Sequence, residues 1–258
     1  MKVITFFNEK GGVGKTTLTA LFASWLAYNQ RCRVEVFDCD YPSYQLWNMQ
    51  KLDVKALREG LGSGHIGLSL GQLCRGNDFY KVRRMEGRDA YGEEQLRVIA
   101  RMVSDMRSRE DGYLLMDFPG RFLPNDPVHR LSRDGLLDLV VFPVDSDRQS
   151  RAAALSTFAV MRKVSGGRQR CAVLWNRETT SERKARTDRY AGSTRGFEDL
   201  GIPVIGTRIR DMLIARRDST AQGFIRNTLC WPQPNIDRSC PWIEDAFMEI
   251  RSLADRSA

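Results

Sequence analysis

The segment Lys10-Gly11-Gly12-Val13-Gly14-Lys15-Thr16-Thr17 lies between an apolar run, Val3-Ile4-Thr5-Phe6-Phe7, and a helical pattern from Leu18 to Tyr28. Strand, glycine loop and helix in that order leave the chain few folds. Glycines let the backbone curl until successive N–H groups converge on one oxyanion cluster, and the helix N-terminus adds its partial positive charge. Such a loop suits nucleotide phosphates. Lys15 would reach the β- and γ-phosphates and the Thr16 hydroxyl would sit on Mg²⁺. The alternative is a chance glycine-rich turn, which leaves the placement of the lysine and the helix without a reason.

The ordinary pattern G-x-x-x-x-G-K-[ST] would place glycine at position 9. This chain has Glu9 there and carries an additional lysine, Lys10, at the start of the loop. In this it resembles the deviant Walker A loop of the ParA/MinD family of dimerising ATPases. The resemblance implies that Lys10 crosses a dimer interface to the partner's phosphates, and that Gly11, Gly12, Val13, Gly14, Lys15, Thr16 and Thr17 hold the nucleotide. It is specific at Lys10–Thr17 and looser elsewhere, and it extends to about residue 210.

A chain of 258 residues with 42% apolar residues can bury a large core as one α/β domain, here expected over residues 1–258. No stretch is apolar and long enough to span a bilayer, and the N-terminus reads as a strand rather than an export signal. The six cysteines (Cys32, Cys39, Cys74, Cys171, Cys230 and Cys240) show no C-x-x-C spacing, and Cys32, Cys39 and Cys171 fall in or beside strand-like runs. A reduced, cytoplasmic setting fits. His65 and His129 lie far apart in glycine- or proline-rich stretches and read as loop residues, so no metal site of protein ligands alone is expected.

The net charge is +8, and it is localised. Residues 148–217 hold sixteen Lys/Arg against six Asp/Glu, so the remainder is slightly acidic. Arginine supplies 32 of the 40 basic residues, and its planar fork suits phosphate oxygens. A local basic excess points to a polyanion such as DNA. A solvated arginine-rich surface is the alternative.

Strands are expected at Lys2–Phe7, Arg33–Phe37, Phe79–Met85, Tyr113–Asp117, Leu136–Val144, Cys171–Trp175 and Pro203–Ile205. Helices are expected at Thr16–Asn29, briefly through Trp47, and at Glu93–Arg109, Arg148–Ser165, Ser181–Tyr190 and Trp242–Leu253. Leu52 to Gly76 reads as a loop with short helical pieces. Alternating strands and helices imply a doubly wound, mostly parallel α/β sheet with helices on both faces, of the P-loop NTPase type with a deviant Walker A loop. Ligands in such sheets bind at the C-terminal ends of strands. The glycine loop, Asp38, Asp40, Asp117 and Asn176 all fall at such ends.

Asp117 ends an apolar strand, as a Walker B acid does, and would hold Mg²⁺ through water. Capping of the next turn is its alternative use. Asp38 and Asp40 are spaced by two, so both project to one side of an extended chain. They are similar to the family's D-x-D switch segment, which implies that Asp40 orients or activates the attacking water and Asp38 supports Mg²⁺ hydration. The family's partition members follow the second acid with Pro-Gln, whereas here Tyr41 precedes Pro42 and Ser43 follows. Asn176-Arg177 resembles the family's base-contacting pair. The sequence Asn176-Arg177-Glu178-Thr179 lacks the Asn-Lys-x-Asp of common GTPases, which favours ATP over GTP.

The expected activity is that of a ParA-like ATPase with ATP and Mg²⁺ as cofactors. It would form a homodimer on ATP binding, bind DNA without sequence preference, and hydrolyse ATP weakly until a partner protein stimulates it. Nucleoid association would follow from the DNA contact. Partition, positioning and conjugative transfer remain open, with Asp38-Cys39-Asp40-Tyr41-Pro42 similar to ParA-like proteins carried with transfer genes. A MinD-like membrane switch is the alternative. The last helix has Ile243, Phe247, Ile250 and Leu253 on one side, but Glu244, Asp245 and Glu249 stand against only Arg251, a balance anionic lipid repels. A relative of the nitrogenase iron protein would need cysteines facing a cluster, and nothing in these spacings announces one.

Overall fold

The computed structural model describes residues 1–58, 80–85, 91–109, 111–211 and 241–256. Six strands form one parallel sheet: β1 (Lys2–Phe6), β2 (Val34–Asp38), β3 (Lys81–Arg84), β4 (Tyr113–Asp117), β5 (Leu139–Val144) and β6 (Cys171–Trp175), in the order β3-β2-β4-β1-β5-β6. β4 and β6 are buried at all five positions and β5 at all six. These are the continuous apolar runs of strands covered on both faces.

Side chains alternate along each strand, so the core divides in two. Ile4 and Phe6 of β1 belong to one cluster, and Val3 and Phe7 belong to the other. The first face is covered by α1 (Lys15–Ser24), which continues as a π-helical turn over Trp25–Asn29, together with α2 (Gln45–Arg58) and α8 (Pro241–Asp255). Phe22 stacks on Trp25 at 5.8 Å between ring centroids and meets Phe247 of α8 edge-on at 5.1 Å. The second face is covered by α3 (Glu93–Arg109), α4 (Pro127–Arg133), α5 (Arg148–Val164) and α7 (Ala191–Asp199). Leu96, Ile99 and Val103 of α3 are buried as their spacing predicts. The observed parallel sheet with helices on both faces is the expected fold class.

Several expected elements differ. Ser181–Tyr190 is not a helix: a capping box between Thr179 and Glu182 starts only one turn, α6 (Thr180–Arg183). The stretch up to Tyr190 has no apolar side chain to anchor it beyond an alanine. The true helix follows it as α7, fixed by Phe197 edge-on to Trp175 at 6.2 Å and by Trp175 Nε1 donating to Thr194. Gly192 and Gly196 are not required by sterics, since a Cβ at either would meet no atom within 4 Å; their helix cost is offset by the burial of Phe197.

Pro203–Ile205 is reduced to a single parallel bridge between Val204 and Val173. The Gly206 and Thr207 amides then turn away to the Glu249 carboxylate of α8, at 2.8 and 3.1 Å. The helix through Trp47 runs on to Arg58, which claims the start of the expected 52–76 loop; residues 59–79 lie outside the described residues. α4 has no counterpart among the expectations, although Pro127 at its first turn is a helix-start signal. His129 therefore sits on a helix, against the Phe122 ring, rather than in a loop. His65, Cys74, Cys230 and Cys240 lie outside the described residues.

Candidate nucleotide site

The glycine loop leaves β1 at the middle of the sheet and enters α1. Gly12 and Gly14 have φ of +77° and +96°, the left-handed backbone that only glycine adopts freely. No atom lies within 4 Å of a Cβ built on Gly11 or Gly12, so their side of the loop is open. Gly14 is the opposite case, because its Cβ would come within 2.6 Å of Asn176 Nδ2.

Two residues before the glycines anchor the loop. Asn8 is fully buried, and its Nδ2 donates to the carbonyls of Pro143 and Ser150 at 2.9 and 3.0 Å. Its Oδ1 accepts from the Lys10 amide at 2.9 Å. Glu9, standing where the ordinary loop has glycine, accepts from the buried Thr157 hydroxyl of α5 at 2.8 Å. The loop is thus tied to the end of β5 and to two turns of α5. Gly120, beyond β4, lies under it: a Cβ there would meet the Glu9 and Asn8 carbonyls at 3.0 and 3.1 Å and Lys15 Nζ at 3.1 Å.

Lys15 Nζ donates to the Lys10 carbonyl at 3.1 Å. Burial lowers its pKa, opposed by the charges of Asp117 and Asp40. Asp38 and Asp117 are register partners at the ends of β2 and β4, so their carboxylates share the face that carries α1. Both are buried. Burial raises the Asp38 pKa against hydrogen bonds from the amides of Trp47 (2.9 Å) and Asp40 (3.1 Å). Asp117 is in a different state: neither of its carboxylate oxygens meets a donor in good hydrogen-bond geometry, and the Thr16 hydroxyl is close enough to give only a partial contact. Burial lifts it to about 7, with the nearby Thr16 hydroxyl pulling it down, Asp38 and Asp40 pushing it up, and Lys15 pulling it down. A buried carboxylate whose oxygens lack a full hydrogen bond is a place for a cation or its hydration shell.

Asp40 follows β2 and is half-buried; its backbone and side-chain oxygens accept from Ser43 Oγ at 2.9 and 2.7 Å. Lys10 points the other way. Its ammonium donates to Gln149 Oε1 at 2.7 Å and lies 3.8 Å from Asp147, the N-cap of α5. Asn176 ends β6, buried, and donates through Nδ2 to the Val13 carbonyl at 2.7 Å. One of its two side-chain N–H donors is thus committed to the loop, leaving the other and the side-chain oxygen for further partners. Arg177 beside it holds φ +63° and is partly exposed. Thr17 follows Thr16 in the first turn of α1.

The fold therefore gathers the loop, Thr16, Asp38, Asp40, Asp117 and Asn176 at one end of the sheet, and leaves Lys10 turned outward from them. Asn8, Gly120 and Ser43 escaped the sequence reading. Asn8, directly between strand and loop, carried a positional signal. Gly120 and Ser43 matter only through contacts that folding creates.

Comparison with known proteins agrees with this geometry. Residues 4–126 match the family model described as the CobQ/CobB/MinD/ParA nucleotide binding domain. No curated protein matches the sequence. Among solved structures, the MinC:MinD cell division protein complex of Aquifex aeolicus aligns with TM-score 0.63 at 19% identity, over 100% of this chain and 97% of that one. The septum site-determining protein MinD complexed with Mg-ADP from Pyrococcus horikoshii aligns with TM-score 0.61 at 16% identity, over 98% and 97%. A plasmid partition protein from Borrelia burgdorferi gives 0.55 at 14%, over 97% and 98%. At these identities the structures establish the shared fold. The matched segment contains the glycine loop, so residues 4–126 are similar to the CobQ/CobB/MinD/ParA nucleotide binding domain, and the chain as a whole shares the fold of the MinD and plasmid partition structures.

Proposed function

We propose that this chain is a ParA-like ATPase, a single P-loop domain over residues 1–258, that works as an ATP-dependent dimerising switch on DNA. The reading rests above all on one arrangement: a buried Asp117 without a full hydrogen bond, facing Lys15 and the open glycine loop, with Lys10 held outside that group. Lys15 and the loop amides hold the phosphates, and a second copy's Lys10 supplies the cation that its own site lacks. Thr16, Asp38 and Asp117 fit Mg²⁺, partly through water, and the ion when bound neutralises charge on the β- and γ-phosphates. Asp40 aims the attacking water, and Asn176 and Arg177 border the adenine.

Several arginines of the basic stretch have structural duties. Arg208 pairs with Glu178 and Asp188, and Arg170 donates to carbonyls at the end of α8. Arg183, Lys184, Arg186, Arg189 and Arg195 are exposed along α6, α7 and their connection, on the β6 side of the loop. These are the cations proposed to meet DNA phosphates. The apolar face of α8 (Ile243, Ala246, Phe247 and Ile250) is buried in the core, which supports DNA over a membrane as the surface addressed. No helix among the described residues is long and apolar enough to cross a membrane. A partner protein would stimulate the slow hydrolysis and separate the dimer, in partition, positioning or conjugative transfer of DNA.

Salt-titrated DNA binding with ATP, with ADP and without nucleotide tests the proposal. With ATP, affinity should fall steeply with salt; each phosphate neutralised adds about −0.9 to the log–log slope, so five exposed cations give up to about −4.5 per protomer. Equal binding by the nucleotide-free protein would contradict it.

A further inference from the structure

The turn after β2 differs from the family pattern at the residue that touches Asp40. We propose that Ser43 is a positioning residue for the hydrolytic water, acting through the Asp40 carboxylate; the inference rests on the role assigned to Asp40 above. Ser43 is exposed and lies three residues beyond Asp40. Its hydroxyl faces both Asp40 Oδ2 at 2.7 Å and the Asp40 carbonyl at 2.9 Å. A hydroxyl has one proton to donate, and the ionised oxygen is the stronger acceptor. Engagement of Oδ2 fixes the carboxylate's rotation and leaves Oδ1 to accept from water.

The turn that carries this contact is itself braced. The Tyr44 amide donates to the Asp40 carbonyl at 2.8 Å, and Asn48 Nδ2 donates to the Ser43 carbonyl at 3.0 Å. Asp38 accepts from the amides of Asp40 and Trp47, so one buried acid ties the start of the turn to the first turn of α2. Tyr44, in left-handed backbone at φ +40°, anchors its hydroxyl on the Met85 carbonyl at 2.9 Å. Against this fixed frame the Asp40 carboxylate has, among the described residues, one side-chain tether, Ser43. An acid that must aim a water gains from a tether on the oxygen it does not use, because a small misplacement lowers the rate without changing how tightly ground-state ATP is held.

Single-turnover ATP hydrolysis with the full chain tests this. Ser43→Ala should slow the chemical step about tenfold, as expected for loss of a hydrogen bond to a charged group, with ATP affinity within twofold of wild type. Ser43→Thr keeps the hydroxyl and should recover most of the rate. An unchanged melting temperature for Ser43→Ala is expected, since the side chain is exposed. A wild-type rate for Ser43→Ala, or a tenfold loss carried by affinity instead of rate, would overturn the assignment. Asp40→Ala run alongside separates the two levels: hydrolysis surviving that change removes the role of Asp40 itself, whereas an inert Asp40→Ala with a wild-type Ser43→Ala removes only the tether.

Discussion

Gly14→Ala probes the loop at its tightest point. Gly14 holds φ +96°, and a left-handed backbone costs a residue with a Cβ about 1–2 kcal/mol. The added carbon would also lie 2.6 Å from Asn176 Nδ2, which donates to the Val13 carbonyl at 2.7 Å. Asn176 must move, and leaving that buried donor and acceptor unsatisfied costs about 1–3 kcal/mol. The two effects sum to roughly 2–5 kcal/mol, a large share of the 5–15 kcal/mol that holds a domain together. Gly11→Ala is the internal control. It has no positive φ and nothing within 4 Å of the new carbon, so its stability should shift by no more than about 0.5 kcal/mol. Urea unfolding without nucleotide should show a lower midpoint for Gly14→Ala at unchanged slope. Calorimetry with Mg-ADP should show binding weakened tenfold or more. A Gly14→Ala protein matching Gly11→Ala in both measurements would refute the contact between Asn176 and the loop.

Burial holds the Asp117 carboxyl at about 7 in the folded protein, above the unfolded 3.8, so the folded state retains a proton that the unfolded chain releases. Nucleotide-free stability should therefore fall as pH rises from about 4 to 7, by roughly 4 kcal/mol at full titration, and Asp117→Asn should flatten that fall in a pH series of denaturation midpoints. Asp117→Asn should also lose Mg²⁺-dependent tightening of nucleotide binding, read by calorimetry with and without EDTA. Lys15→Ala should abolish or strongly weaken nucleotide binding. Asp40→Ala should keep ATP binding, stall phosphate release and accumulate dimer; only monomer at saturating ATP would contradict its assignment.

The legible parts of the chain were those fixed by local pattern. Continuous apolar runs gave β4, β5 and β6 because both faces of the sheet are covered, and the glycine spacing gave the loop because its conformation demands left-handed backbone at Gly12 and Gly14. Asp38 and Asp117 were legible as strand-end acids, but their pairing depends on β2 and β4 being neighbours and on the register between them, both of which only the folded sheet fixes. The helix expected at 181–190 shows the limit from the other direction. Propensity favoured SERKAR over a stretch containing Gly192 and Gly196, yet burial of Phe197 against Trp175 outweighed the glycines. The second duty of Asn176, holding Val13, was hidden for the same reason: 163 residues separate donor and acceptor.

Molecular mass in solution tests the dimerising switch most directly. Light scattering with Mg²⁺ and a non-hydrolysable ATP analogue should give twice the 29.5 kDa of one chain, and with ADP a single chain. Lys10→Ala, freed from Gln149 and Asp147 but unable to reach across, should remain single with the analogue. A wild-type protein of single-chain mass under saturating analogue would contradict the account.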